Sequence, residues 1–296
     1  MESLQKLKEE LQLNKDLTEL LDILKGIAVA EYWALEKKRE RFAKFMDTFE
    51  EFFHLIDFKS VDHPFAKARG NLGIIMITTD EGFMGGLNTR LVNTALEIEG
   101  ADAADLIVIG ERGGGYLRAL GRNFTQFPGI SVNECYESAL NFKNYIMEES
   151  LAGKFGRLVL FYPKPITFIA QKIESITILP CYELFKKIGG KVEDTQDVIV
   201  ESSLHDIIEY LVETWITQKL YEVFEDSKLA EFAARTIHLE ESYQLSLQQA
   251  QGIRHRYFRT HREFIDKGLR DMFSSQIVKK KEKNKGDSSF LQQIPS

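Results

Sequence analysis

Hydrophobic positions recur at steps of three and four in two long terminal stretches, and gather into short continuous runs between them. From residue 3 to about residue 57 they include Leu4, Leu7, Leu11, Leu17, Leu20, Leu21, Leu24, Ile27 and Ala28, the stripe of an amphipathic helix. The same spacing returns at Leu204, Ile207, Ile208, Leu211, Trp215, Leu220, Val223, Phe224, Phe232 and Ile237 and runs on to Ile265, Leu269 and Met272. Gly252 and Gly268 are the only glycines within 202–278; each costs about 1 kcal/mol relative to alanine, enough to permit a bend without requiring a break. Proline follows the same division, with none before Pro64 and none between Pro180 and Pro295, as helix interiors demand. A helix of roughly 70 residues would be about 100 Å long, and its apolar stripe has to be covered. The two terminal helices are therefore expected to pack on each other as an antiparallel coiled coil. The far end of the longer, C-terminal one should extend past its partner into another protein.

The middle has a different period. "LGIIMITT" (72–79), "DLIVIG" (105–110) and "RLVLFY" (157–162) are short β-branched runs of the buried-strand type, and 172–179 supplies one more strand. Helical segments, "NTRLVNTALEIE" (88–99) and "YESALNFKNYIMEES" (136–150), lie between them. Strand and helix in alternation imply an α/β sheet with parallel pairing. The fold class is thus α/β: a small Rossmann-like domain between long terminal helices. The divisions are 1–60 for the N-terminal helix, 68–182 for the α/β domain, 202–278 for the C-terminal helix and 279–296 for a basic flexible tail.

Composition narrows the function. The 296 residues are 44% hydrophobic, enough for a core, and the net charge of −7 disfavours a general affinity for nucleic acid. "RHRYFRTHR" (254–262) puts its basic residues all round a helix axis, which suits a collar facing protein better than a groove binder. Cys135 and Cys181 are far apart and lack metal spacing, so a reducing compartment fits better than a disulfide framework. The charged N-terminus reads as neither signal nor transit peptide, and no apolar run reaches the ~18–20 residues of a membrane span.

"TTDEGFMGGLN" (78–88) follows the first strand, where a phosphate loop could sit. Gly82, Gly85 and Gly86 supply glycines, but the Lys and Ser or Thr of a Walker loop are missing. "GERGGG" (110–115) imitates a dinucleotide fingerprint only loosely. A sharp turn into the next helix, with Asn88 or Thr89 as its N-cap, is the stronger reading. Asp80 and Glu81 have no nucleophile or histidine nearby in sequence, and turn capping is favoured over catalysis for them. Histidine spacing offers no metal site, and neither cofactor nor metal is expected.

The same segment carries a resemblance. "TTDEGFMGGLNT" resembles the T-S-D-R-G-L-C-G-G-L-N segment of the gamma subunit of F-type ATP synthases, matching at Asp80, Gly82, Gly85, Gly86, Leu87 and Asn88. "IGERGGGYLRALG" (109–121) is similar to the family's I-G-x-K-G segment, and "ITILP" (176–180) to its L-L-P element. "LAEFAARTIHLEESYQ" (229–244) resembles S-E-x-A-A-R-M-x-A-M-x-x-A-T, matching at Ala233, Ala234 and Arg235. The resemblance implies a central-stalk rotor whose coiled coil turns inside a ring of alpha and beta subunits, coupling ion flow to ATP synthesis or hydrolysis. It implies no catalytic site in this chain, and partners in an epsilon-type subunit and the membrane c-ring. It also implies a peripheral complex on the cytoplasmic face of a bacterial inner membrane, with no direct membrane insertion.

Departures from the family mark this chain. Glu81, Phe83 and Met84 stand where Arg, Leu and Cys are usual, and Lys25 and Gly26 replace part of a Met-rich N-terminal segment. "YFRTHREFIDKG" (257–268) puts His261 and Arg262 where the family has Arg-Gln meeting a beta-subunit loop. The resemblance implies that Ile265, Leu269 and Met272 line the upper bearing, with Arg259, Arg262 and Lys25 meeting acidic beta loops. Two rivals stand beside it: a nucleotide-binding α/β protein and a non-rotating coiled-coil scaffold.

Overall fold

The computed structural model describes residues 3–39, 65, 70–181 and 203–290. Residues 40–60 of the expected N-terminal helix and 291–296 of the expected tail lie outside them. The chain divides into two compact units, one formed by Leu24–Leu239 and the other by Met1–Ile23 with Glu240–Ser296.

The larger unit is built on a five-stranded sheet in the order β3-β2-β1-β4-β5. Its strands are β1 (Asn71–Ile77), β2 (Asp105–Ile109), β3 (Thr125–Phe127), β4 (Phe155–Pro165) and β5 (Gln171–Leu179). β1 pairs in parallel with β2 and β4, β2 pairs in parallel with β3, and β5 returns antiparallel on β4. The helices are α1 (Leu4–Arg39), α2 (Leu87–Leu96), α3 (Glu111–Ala119), α4 (Cys135–Leu151) and α5 (Leu204–Phe290), the last of 87 residues.

The continuous apolar runs of the sequence reflect a sheet covered on both faces. Side chains alternate across a strand. Ile74 and Met76 of β1, Leu106 and Val108 of β2, and Val159 and Phe161 of β4 accordingly pack with Leu91 and Val92 of α2 and Leu117 of α3. Their neighbours Ile75, Ile77, Ile107, Ile109, Leu158 and Leu160 face the other way, onto Ala139, Phe142 and Ile146 of α4. Ile208, Val212, Trp215, Ile216, Leu220 and Phe224 of α5 belong to that same cluster. The first part of α5 is therefore a layer of the α/β core.

Two elements differ from the sequence reading. "GERGGGYLRA" is mostly helix rather than loop, and β3 was not visible as a strand. The glycines of α3 have a tertiary reason: a Cβ on Gly113 would lie 2.4 Å from Thr78 Oγ1, and one on Gly114 would lie 2.9 Å from Gln126 Oε1. Their absence lets the helix approach the end of β1 and strand β3, which offsets their poor helix propensity.

Within the larger unit, Tyr32 and Leu35 of α1 pack on Leu229, Phe232 and Ala233 of α5. The tip of the β4–β5 hairpin joins them, with the Phe168 ring 4.8 Å from Tyr32 and nearly perpendicular to it. The smaller unit contains the other ends of the same two helices. Glu10 pairs with Arg256 at 3.0 Å, and the Thr18 and Ser246 hydroxyls lie 2.7 Å apart. Contacts that rise along α1 as they fall along α5 establish an antiparallel pair. Thr18 donates its single hydroxyl proton to the carbonyl of Asn14, so Ser246 donates to Thr18. Leu7, Leu21 and Ile253 are buried in this unit, together with Asn14.

Burial of α5 on the sheet generates a first expectation. Phe224 is 1% exposed, and Phe224→Ala should lower stability by about 3–5 kcal/mol in chemical denaturation of the full chain. Both cysteines are buried, and burial pushes the Cys181 thiol up to about 12. The thiolate is the reactive form, so a thiol reagent at pH 8 should label neither cysteine in the native protein and both after unfolding; rapid native labelling would contradict this packing.

Candidate functional site

The segment after β1 is a network of short polar contacts. Thr78 Oγ1 donates to the carbonyl of Ile109 at 2.7 Å and accepts from the Gly113 amide at 3.1 Å, stitching the end of β1 to β2 and α3. Thr79 Oγ1 donates to the Glu81 carbonyl at 2.9 Å and accepts from Asn88 Nδ2 at 2.9 Å. Asp80 uses both carboxylate oxygens, accepting from the Glu111 amide at 2.8 Å and the Gly129 amide at 3.1 Å. A helix N-terminus is an anion site, and at α3 the anion is the protein's own.

That arrangement bears on the phosphate reading. The amide at the start of α3, which a phosphate would use, is held by Asp80. A cleft of about 670 Å³ opens beside the loop, lined by Asp80, Asn88, Arg112, Tyr116 and Arg118 among others. Acids and bases are mixed in it.

The expected N-cap of α2 is corrected. Gly86 occupies the cap position with φ 83°, no side chain caps the helix, and Asn88 reaches back to Thr79 instead. Gly85 and Gly86 both have positive φ, but the third such position in the loop is Phe83 (φ 65°) rather than Gly82. An aromatic residue in that region is uncommon. Gly82 instead makes room for Arg112, whose guanidinium a Cβ would meet at 3.3 Å.

The loop and the Ala-Ala-Arg segment, distant in sequence, meet. Met84 and Leu87 pack on Ala234, with Ile173 against them. Glu81 Oε2 lies 2.7 Å from Arg235 Nη2, and Arg235 also reaches Glu231 Oε1 at 2.6 Å. Ala233 points elsewhere, to Tyr32 and Leu35 of α1. Sequence reading missed Glu231, which is 3% exposed and also paired with Lys228 at 2.8 Å. The i,i+4 spacing of Glu231 and Arg235 was the available signal. His238 was missed as well; its ring lies 6.4 Å from Phe83.

The remaining expected contact residues are on helix surfaces. Lys25 is half-buried on α1 in the larger unit. In the smaller unit, Arg259 pairs with Glu263 at 3.2 Å, the His261 ring stacks on Tyr257 at 5.9 Å, and Arg262 is exposed. Ile265, Leu269 and Met272 are 46%, 45% and 57% exposed. Among the described residues, no group of His, Cys, Asp or Glu could hold a metal ion.

Sheet order and flanking helices define an α/β domain, and in each of the two units α1 packs on α5. The family described as ATP synthase matches residues 3–281, and the chain belongs to it. Among its curated relatives is the ATP synthase gamma chain of Histophilus somni (strain 129Pt), 30% identical over 186 residues, covering 60% of this chain and 64% of the relative. The match thus spans just under two thirds of that relative's length. The fold is also that of a chain in the Euglena gracilis mitochondrial ATP synthase, OSCP/F1/c-ring, rotational state 3 (TM-score 0.70, 17% identity, 95% of each chain covered). A chain in the rotor of the same enzyme in rotational state 1 gives a TM-score of 0.66 at 18% identity, covering 88% of this chain and 98% of that one.

The Asp80 network yields a direct check. Asp80→Ala removes an acceptor from two amides and should cost about 1–2 kcal/mol of stability, whereas Asp80→Asn, which keeps one acceptor oxygen, should cost less. Equal stability of all three proteins in denaturant titrations would mean that the carboxylate does not hold the loop.

Proposed function

We propose that this chain is the central-stalk rotor subunit of an F-type ATP synthase. It would couple ion-driven rotation to ATP synthesis or hydrolysis on a ring of alpha and beta subunits, without a catalytic site of its own. The observation that carries this reading is the continuity of α5. One helix is a layer of the α/β core, then the partner of α1, and then an exposed segment with large apolar side chains. A hydrogen-bonded helix is able to transmit twist along its axis.

Phe264, Ile265, Leu269, Met272 and Phe273 on the last part of α5 are all exposed. An apolar stripe of this kind favours a covering surface, and in the proposed complex the ring supplies it. Ile265, Leu269 and Met272 then form the bearing, while Lys25, Arg259, His261 and Arg262 face acidic beta-subunit loops. Loop residues Asp80, Gly82, Gly85, Gly86, Leu87 and Asn88 join the α/β domain to the helix segment containing Ala233, Ala234 and Arg235. The epsilon-type subunit and the membrane c-ring are the partners assigned to the α/β domain. Among the described residues no helix is long and apolar enough to cross a membrane; the complex is assigned to the cytoplasmic face of a bacterial inner membrane through those partners.

The test is co-expression of the alpha and beta subunits with and without the full chain. The rotor reading expects a complex that co-purifies with the chain and has higher ATPase activity than alpha and beta alone. No association would contradict it, and micromolar binding of labelled nucleotide by the chain itself would favour the nucleotide-binding alternative.

A further inference from the structure

We propose that loop 80–88 is a clamp that fixes the rotational setting of α5 in the α/β domain, with Arg235 as its positioning residue. The clamp is formed within the chain and needs no partner; its role in passing twist rests on the rotor reading above.

Over 223–236 every residue of α5 is buried or half-buried, so the helix is enclosed on all sides as it passes the sheet. Apolar enclosure holds a helix but is non-directional, and small rotations about the axis trade one set of methyl contacts for another. Directional contacts remove that freedom: Lys143 of α4 pairs with Glu213 near the start of α5, and within 223–236 the contacts gather on one turn. A single guanidinium nitrogen of Arg235 is 2.7 Å from Glu81 on the loop and 2.6 Å from Glu231 on the helix. The Phe232 ring lies between two cations, with the Arg235 guanidinium carbon 5.7 Å and Lys228 Nζ 6.0 Å from its centroid. Glu231 and Phe232 hold the Arg235 side chain where Glu81 of the loop meets it.

The loop makes its other contacts next to that pair. Ala234 is small enough for Met84 and Leu87 to pack against it, and Gly85 lies beside His238, which a Cβ there would meet at 3.7 Å. Positions 234, 235 and 238 share one face of the helix. The opposite grip comes from Tyr32 and Leu35 on Leu229, Phe232 and Ala233. Contacts on two faces form a couple, which is what passing a twist between sheet and helix requires. Asp80 and Asn88 pin the two ends of the loop, and between them Phe83 is held in a left-handed conformation.

Glu81 is 72% exposed at its side chain, so its pair with Arg235 adds little to global stability. This property separates clamping from folding. In the full chain, Glu81→Gln and Arg235→Gln should each speed amide hydrogen exchange in 82–88 by up to about fivefold, the range of a surface ion pair. The double variant should go no further than Arg235→Gln alone, and Arg235→Lys should restore part of the protection. Because Arg235→Gln also removes one partner of the buried Glu231, Glu81→Gln is the variant that leaves the core intact. In the complex reconstituted with alpha, beta and membrane-ring subunits, Glu81→Gln should leave ATPase activity within about twofold of the parent while lowering ions transported per ATP. Unchanged loop exchange in both variants would overturn the clamp. Faster exchange with unchanged ions per ATP would overturn its role in passing twist. A parent chain that joins no complex would instead contradict the rotor reading, which the exchange measurement does not use.

Discussion

A long amphipathic helix draws most of its stability in water from the covering of its apolar stripe, and the 87-residue α5 meets a different cover along each successive part up to Arg256. Over 208–224 the cover is the sheet with α4, and over 229–236 it is α1, the β4–β5 hairpin tip and the loop after β1. In the smaller unit it is the first part of α1. Each cover is a packed interface rather than a linker. Within the larger unit, the first part of α5 is core of the α/β domain and the next part packs on α1. Among the described residues, the exposed apolar side chains from Phe264 onward continue the stripe past the paired part of α5.

The loop after β1 shows how an α/β scaffold can keep the layout of a ligand-binding crevice while filling it with contacts between its own segments. Parallel strands direct their C-terminal ends to the place where such folds take ligands. Here Asp80 supplies the anion at the start of α3, and Glu81 turns to α5. Glycines that suggested contact with a phosphate instead permit contact between protein segments: Gly113 on Thr78 and Gly114 on Gln126. Glu81, where the resembling family usually has Arg, gives this chain an internal ion pair with Arg235.

Much of this was legible in the sequence. Strands β1, β2 and β4 were visible because a sheet covered on both faces demands uninterrupted β-branched runs, as in "LGIIMI" and "DLIVI", whereas the short, more exposed β3 was not. The helix pair was visible because a long proline-free stripe at steps of three and four fits a continuous helix, and each such stripe needs a partner to cover it. Helix α3 was not, since its glycines are justified by side chains distant in sequence: Thr78 just after β1, Val108 of β2 and Gln126 of β3. The cap of α2 was misplaced because a left-handed glycine ends the loop without a side-chain cap, freeing Asn88 for Thr79. The meeting of Glu81 with Arg235 could not be read from local spacing, because nothing local to either residue points to the other. Ala233, Ala234 and Arg235 were found together as a motif, yet the helix splits them between two faces.

The most direct measurement is single-molecule observation of the reconstituted complex, anchored through its beta subunits, with a bead attached to the full chain at Leu120→Cys. Leu120 is exposed and both native cysteines are buried, so the probe would report from one position. The account predicts stepwise rotation in one direction on addition of ATP. A stable complex that hydrolyses ATP while the bead only fluctuates about a fixed angle would contradict it.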